Sequence, residues 1–200
     1  MEWTQPLELR GQRVRIRPLQ LQDAFLVQPH LEPDTFKYFV TIQPATFDLE
    51  GSRDFVEQLL RARRTQAFVI EDRGTGEFVG MSTFMDMREE HRALEIGMTW
   101  YRPDFRGTSV NPEVKLLMLE QAFERWLCLR VQLKTDGRNY HSQRAIMKLG
   151  AKLEGTLRNH AIQPNGFVRD TVMFSLTDAE WPEAKAGLIE RLKLPEAKVN

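Results

Sequence analysis

Residues 129–135 alternate without a fault, Leu-Arg-Val-Gln-Leu-Lys-Thr, the period-two pattern of a strand with one face buried. Residues 93–101 form a second such strand, with Leu94, Ile96, Met98 and Trp100 expected on one face and Glu95, Gly97, Thr99 and Tyr101 on the other. That places a carboxylate on a face otherwise neutral, outside the hydrophobic core. Between the two strands stand a polar loop over residues 102–110 and a helix with clear start signals. Asn111 suits the N-cap, Pro112 the first helical position and Glu113 the first turn. The helix continues through Leu116, Leu117, Leu119, Ala122, Phe123 and Trp126, apolar over more than one face, and is expected to be covered on both sides.

The remaining elements follow from the same signals. Residues 13–18 alternate as a half-buried strand that Pro18 ends, and residues 19–31 and 48–64 read as helices, the second capped by Asp48 with Phe55, Leu59 and Ala62 on one face. A hairpin over 67–70 and 78–84 turns through Arg73-Gly74-Thr75-Gly76. Asp136-Gly137 makes a turn, and a short helix over 139–149 closes on Gly150. Residues 151–158 and 168–176 pair as strands around Pro164-Asn165-Gly166, and the capping-box spacing of Thr177 and Glu180 starts a last helix carrying Leu188, Ile189 and Leu192. The expected architecture is α/β: a mixed sheet with helices on its faces.

Two hundred residues favour one domain spanning the chain, with a core over about residues 9–192. Twenty-eight Lys and Arg balance 28 Asp and Glu, which argues against a polyanion binder acting by bulk charge and leaves local patches open. Nucleic-acid binding through a cluster such as Arg61, Arg63 and Arg64 is the weakest reading. Cys128 is a lone cysteine, so no intramolecular disulfide forms, and it is expected to be a small buried apolar residue. Four scattered histidines lack metal-ligand spacing, and no metal is expected. No stretch has the length and apolarity of a membrane span, and residues 1–6 lack the character of a signal peptide; a cytoplasmic protein is expected.

The strand, loop and capped helix around residues 106–111 (Arg-Gly-Thr-Ser-Val-Asn) form an anion site in principle. The first backbone NH groups of a helix lack internal partners, and its dipole favours negative charge there. The loop has too little glycine for a P-loop and no Gly-Lys-Ser/Thr ending.

The segment also resembles the pyrophosphate motif Gln/Arg-x-x-Gly-x-Gly/Ala of the GNAT superfamily of acyl-CoA-dependent N-acetyltransferases. It matches at Arg106 and carries Ser109 and Asn111 where the motif has small residues. Downstream, Asn139-Tyr140-His141-Ser142, Leu149-Gly150-Ala151, Glu154-Gly155, Arg158 and the segment from Gly166 to Asp170 are similar, in order, to signatures of the group containing the RimJ and RimL acetyltransferases. The resemblance covers most of the chain, from Leu9 to about Leu192. It implies a central mixed, mostly antiparallel sheet flanked by helices, with a strand pair that splays apart at the cofactor site.

The resemblance further implies acetyl-CoA as co-substrate and a primary amine as acceptor, on a protein N-terminus or a small molecule, in a ternary complex. A neutral amine must attack the thioester, an oxyanion must be stabilised and a thiol must leave protonated. Glu95 corresponds to the strand glutamate that removes the amine proton in relatives; the acidic turn of Asp86, Glu89, Glu90 and His91 is the alternative. Ser142 and Tyr140 match the positions that assist the thiol. Met98 and Thr99 stand where the backbone NH of an oxyanion site is expected, Arg106, Gly107, Thr108, Ser109, Val110 and Asn111 at the diphosphate, and Asn139 at the CoA arm. Arg158, His160, Arg169 and Asp170 fall on the acceptor side, where a structural ion pair is the simpler reading. The resemblance also admits a homodimer. A CoA-binding or scaffold protein without catalysis, motivated by Ser109 and Asn111, is the alternative from another class. With zero net charge, an anionic cofactor has to be held by local features, chiefly the helix start near Asn111 and Arg102 and Arg106.

Overall fold

The computed structural model describes residues 3, 5, 7–40 and 42–193. The leader reading of residues 1–6 therefore falls largely outside the described residues. Among the described residues eight strands form one sheet: β1 (Leu9–Arg10), β2 (Val14–Pro18), β3 (Gln66–Asp72), β4 (Phe78–Arg88), β5 (Ala93–Tyr101), β6 (Arg130–Asp136), β7 (Lys152–Ile162) and β8 (Val168–Thr177). Their order is β1-β2-β3-β4-β5-β6-β8-β7. Every neighbouring pair is antiparallel except β5 and β6, which are parallel.

The helices are α1 (Ala24–Val27), α2 (Pro33–Phe36), α3 (Leu49–Arg61), α4 (Val110–Glu120), α5 (Tyr140–Met147) and α6 (Trp181–Lys193). Two apolar clusters hold the layers together, one on each face of the sheet. The first joins Leu94 and Ile96 of β5 to Val114, Met118 and Leu119 of α4 and to Leu188 of α6. The second joins Trp100 of β5 to Phe55, Val56 and Leu59 of α3 and to Phe36. Full burial of each such side chain stabilises the fold by about 1.5–3 kcal/mol relative to exposure.

The structure corrects several local expectations. Residues 19–31 do not form one helix: 3₁₀ turns at Leu21–Asp23 and Gln28–His30 flank the four-residue α1. Asp23 folds back to accept from the backbone NH of Gln20 and from Arg17, and Pro29 has no NH to continue the ladder. The helix expected from Asn111 starts at Val110, with Ser109 as its flanking residue, and Asn111 lies inside the first turn. It passes into a π turn at Gln121–Arg125, closed by the NH of Trp126 on the Gln121 carbonyl at 3.0 Å. Helices at 49–61 and 140–147 are shorter than read, and β1 and α2 were not foreseen.

The correction that matters most for the site lies in β5. Met81 pairs with Trp100 and Thr83 with Gly97, so Ser82 alone faces Met98 and Thr99. Met98 has φ +47°. This bulge reverses the alternation: Leu94 and Ile96 face α4, whereas Met98 and Trp100 face the α3 side, and the four do not share a face.

Candidate active site

The β5–β6 pairing runs only from Ala93↔Arg130 to Glu95↔Gln132. Beyond it the strands part, and Gly97, Met98 and Thr99 of β5 and Leu133, Lys134 and Thr135 of β6 line one cleft of about 800 Å³. Antiparallel pairing of β6 to β8 continues through Asp136, so β6 keeps its extended path while leaving β5. The start of α4, with Gly107, Thr108 and Asn111, stands along one side of the cleft, α5 along another, and Asp34, Tyr38, Phe39 and Val40 close a third.

The loop before α4 is shaped by its own bonds. Arg106 Nε donates to the Tyr101 carbonyl at 2.9 Å, and Thr108 Oγ1 donates to the Phe105 carbonyl at 2.8 Å while accepting from the Val110 NH at 3.3 Å. Gly107 has φ +75°, a conformation that strains any residue with a β-carbon. The Tyr101 hydroxyl donates to Asn111 Oδ1 at 3.1 Å, and burial pushes that hydroxyl's pKa up. Glu113 accepts from the NH of Arg13 at 3.0 Å and from that of Gln12, and Arg13 Nη1 donates to Ser109 Oγ at 3.2 Å. The first turn of α4 is thereby fastened to the loop between β1 and β2.

Glu95, only 3% exposed, belongs to neither apolar cluster. Its carboxylate lies 2.9 Å from Lys134 Nζ and accepts from Gln132 Nε2 at 3.1 Å. Two basic side chains of the cleft are also buried. Arg169, 4% exposed, donates through Nη1 to the Tyr38 carbonyl at 2.8 Å, and its buried Nε has no hydrogen-bond partner among the described residues. Burial lowers its pKa against the opposing pull of Asp136 and Glu95. Lys115 of α4, 5% exposed, donates to Thr99 Oγ1 at 2.6 Å and reaches Ser82 Oγ at 3.5 Å. Burial brings its pKa down to about 7.

The wall at residues 34–40 is fastened through its backbone. Gln163 Nε2 donates to the Lys37 carbonyl at 3.0 Å and Arg169 to that of Tyr38. Arg138 lies over the Phe167 ring at 3.5 Å and bonds Asp136 and Gln163. Burial opposes ionisation of Asp136, yet its bonds to the Arg138 side chain and NH hold its pKa below the usual carboxylate range.

The cleft therefore brings together Glu95, Met98, Thr99, Arg106, Gly107, Thr108, Asn111, Asn139 and Ser142 of the residues singled out in the sequence. Asn139 caps α5, its Oδ1 accepting from the Ser142 NH at 3.0 Å. Three others stand apart from the cleft: Tyr140 is 68% exposed, Val110 is buried in the core, and Ser109 faces Arg13. In the acidic turn, Asp86 pairs with Arg88 and Glu90 with Arg64. Asp170 accepts from the Asn159 NH and His160 bonds Thr171, so Arg169 alone of the acceptor-side group enters the cleft. Cys128 is buried, which pushes its thiol up to about 12. Among the described residues no cluster of three or more His, Cys, Asp or Glu could hold a metal, and no helix is long and apolar enough to cross a membrane.

Residues 13–152 match the family model described as an acetyltransferase (GNAT) domain. The chain belongs to the GNAT acetyltransferase family. A candidate acetyltransferase from T. thermophilus has a crystal structure with 36% identity, 96% of this chain and 100% of that one covered, and a TM-score of 0.88. An uncharacterized N-acetyltransferase of Mycobacterium bovis is 30% identical over 106 residues, 53% of this chain, and the match spans 64% of that protein's length. The ribosomal-protein-S5-alanine acetyltransferase of Vibrio fischeri shares the fold with a TM-score of 0.68 at 17% identity, over 88% of this chain and 98% of that one.

Lys115, Lys134 and the wall at 34–40 were missed in the sequence, and Arg169 was read there only as a structural ion-pair residue on the acceptor side. Lys115 had one visible signal: a charged residue between Val114 and Leu116 in a helix apolar on more than one face.

Proposed function

We propose that this GNAT protein transfers the acetyl group of acetyl-CoA to a primary amine by direct attack in a ternary complex. The observation that carries this reading is the parting of β5 and β6 beyond Glu95 and Gln132, beside the start of α4. GNAT domains use acetyl-CoA as co-substrate, and the residues present suit it. The cleft offers strand backbone on both sides, the amide-rich start of a helix, a glycine at positive φ and buried basic side chains. The segment 106–111 would receive the diphosphate through backbone amides, and Asn139 would meet the CoA arm. The departures from the motif at Ser109 and Asn111 leave Gly107 as the glycine that shapes the loop.

Glu95 would take the amine proton, directly or through water, as the C–N bond forms and the C–S bond breaks. Its Lys134 and Gln132 partners fix the carboxylate in place and keep it hydrogen-bonded at low exposure. Ser142, at the start of α5, would relay a proton by way of water to the departing thiolate, receiving one as it gives one, so that the proton lost by the amine balances the one gained by the thiol. Tyr140, exposed and outside the cleft lining, has less support for that role than Ser142. Protein N-termini and small-molecule amines are both acceptors of the right chemistry, in a cytoplasmic setting.

The test is a CoA-release screen over peptides with free N-termini, an N-terminal alanine peptide among them, and small amines, with mass spectrometry of the products. Acetylation of an amine is the expected result; acetyl-CoA binding with no CoA release from any amine would favour a non-catalytic binding protein. With an acceptor in hand, Glu95→Gln should lower turnover most at low pH, where amine deprotonation limits. Unchanged turnover across pH would remove Glu95 from the role.

A further inference from the structure

We infer that Lys115 is a proton-linked counter-charge for the cofactor: its side chain, buried in the cleft without a carboxylate partner among the described residues, becomes a fixed ammonium when an anionic diphosphate binds at the start of α4. The inference rests on the acyl-CoA reading of the cleft. Three observations support it. First, Lys115 Nζ is bonded only to neutral hydroxyls in the hydrogen bonds of the site, Thr99 Oγ1 and Ser82 Oγ, which also bond each other at 2.8 Å. Buried ammonium groups ordinarily acquire a paired anion. Second, Lys115 lies four residues after Asn111, on the same helix face, and both line the cleft. Helical side chains lean toward the helix N-terminus, so the amine projects back toward the end of α4 that attracts anions. Third, burial alone accounts for the pKa of about 7, well below an ordinary lysine, so the free protein is poised to gain a proton when negative charge arrives.

Several of the other charged groups around the cleft have their own engagements, while Asp34 and Lys148 also line it. On α4, Glu113 is bonded to the backbone of Gln12 and Arg13. β4 contributes the Ser82 hydroxyl and no charge, and β5 contributes Glu95, held by Lys134 of β6, and Tyr101, bonded to Asn111. Arg106 in the loop bonds the Tyr101 carbonyl, and Arg191 of α6 bonds that of Lys148. α5 presents His141 and Arg144 to the cleft. His141 is the imidazole side chain that lines the same cleft, so it needs its own control.

The measurement is isothermal titration calorimetry of the full-length protein with dephospho-CoA, which keeps the diphosphate and lacks the titrating 3′-phosphate. Buffers of different ionisation enthalpy at pH 8 report the protons exchanged. If the complex returns Lys115 to the ordinary lysine range, uptake is about 0.9 proton per ligand at pH 8, and affinity falls roughly fivefold from pH 7 to pH 8. Lys115→Met should abolish both effects, whereas His141→Gln should keep them. Binding without proton uptake in the wild-type protein overturns the inference, as does uptake that survives in Lys115→Met or disappears in His141→Gln. Failure of both dephospho-CoA and CoA to bind would instead refute the acyl-CoA reading itself. If Lys115→Met folds poorly, binding without uptake in the wild-type protein still overturns the inference, and His141→Gln still separates the two groups.

Discussion

Replacing Lys115 with methionine in the ligand-free protein should make the fold less sensitive to pH above neutrality. In the unfolded chain the lysine titrates near 10.5, and in the fold near 7. A folded pKa depressed below the unfolded one means that between these values the unfolded state holds a proton the native state lacks. Stability then rises with pH from about 7 to about 10.5 and is flat below 7. Each unit is worth about 1.4 kcal/mol, so the buried lysine costs about 4–5 kcal/mol at neutral pH compared with an unshifted one. Between pH 7 and pH 9 the wild-type protein should gain about 2 kcal/mol relative to Lys115→Met. Methionine has a similar length and no charge, and the Ser82 and Thr99 hydroxyls can keep their mutual 2.8 Å bond after the substitution. Any change in packing shifts the variant equally at both pH values and cancels in the comparison. Urea unfolding followed by far-UV circular dichroism at pH 7, 8 and 9 reads the difference directly. Parallel stability curves, with a relative change under about 0.5 kcal/mol, would show that Lys115 is not held neutral by the fold.

Two further substitutions test how the surrounding frame is held. Asp23→Ala leaves the Arg17 guanidinium, whose pKa is raised chiefly by Asp23, with Glu71 as its remaining acidic partner; a loss of about 3 kcal/mol is expected in chemical unfolding, and a loss below about 1 kcal/mol would mean the pair is relaxed in solution. Gly107→Ala forces a β-carbon onto φ +75° with nothing packed within 4 Å, so it should cost about 1 kcal/mol or less in stability while raising the KM for acetyl-CoA. Equal KM values in steady-state kinetics would show that the loop conformation does not matter for the cofactor.

Much of the frame could be read from letters because burial imposes a period. β5 occupies the expected residues 93–101, and the Asp48 cap is present with its Oδ1 accepting from the Gly51 NH at 2.9 Å. The bulge at Met98 could not be read, since both faces of β5 are covered: Leu94 and Ile96 enter one core, Met98 and Trp100 the other, and all four are apolar whether or not the alternation switches. The helix start moved because Asn111 and Ser109 are both good caps, and the Tyr101 hydroxyl, which sequence spacing does not reveal, engages Asn111. In the candidate site, the residues near the loop and α5 were legible through their motif order. The wall at 34–40 was not, because its ties run from Gln163 and Arg169 to backbone carbonyls, and a carbonyl carries no signature of residue type. Lys115 was passed over because a lysine is ordinarily solvated, and only the fold shows that its surroundings exclude water.

The short β5–β6 seam gives the sheet an uneven mechanical build. Five strands, β1 to β5, make one plate and three, β6 to β8, another, and among the described residues three register pairs and the Leu129 NH bond to the Arg92 carbonyl stitch the plates together through the backbone. Elsewhere along that boundary the plates are coupled through the helices packed across their face. Anything extended that lodges between the plates with its own amides would act as a missing rung, joining two stiff bodies whose backbone edges otherwise end in open cleft. The protein would then be stiffest while loaded, and emptying the cleft would soften the molecule along one line without loosening either plate.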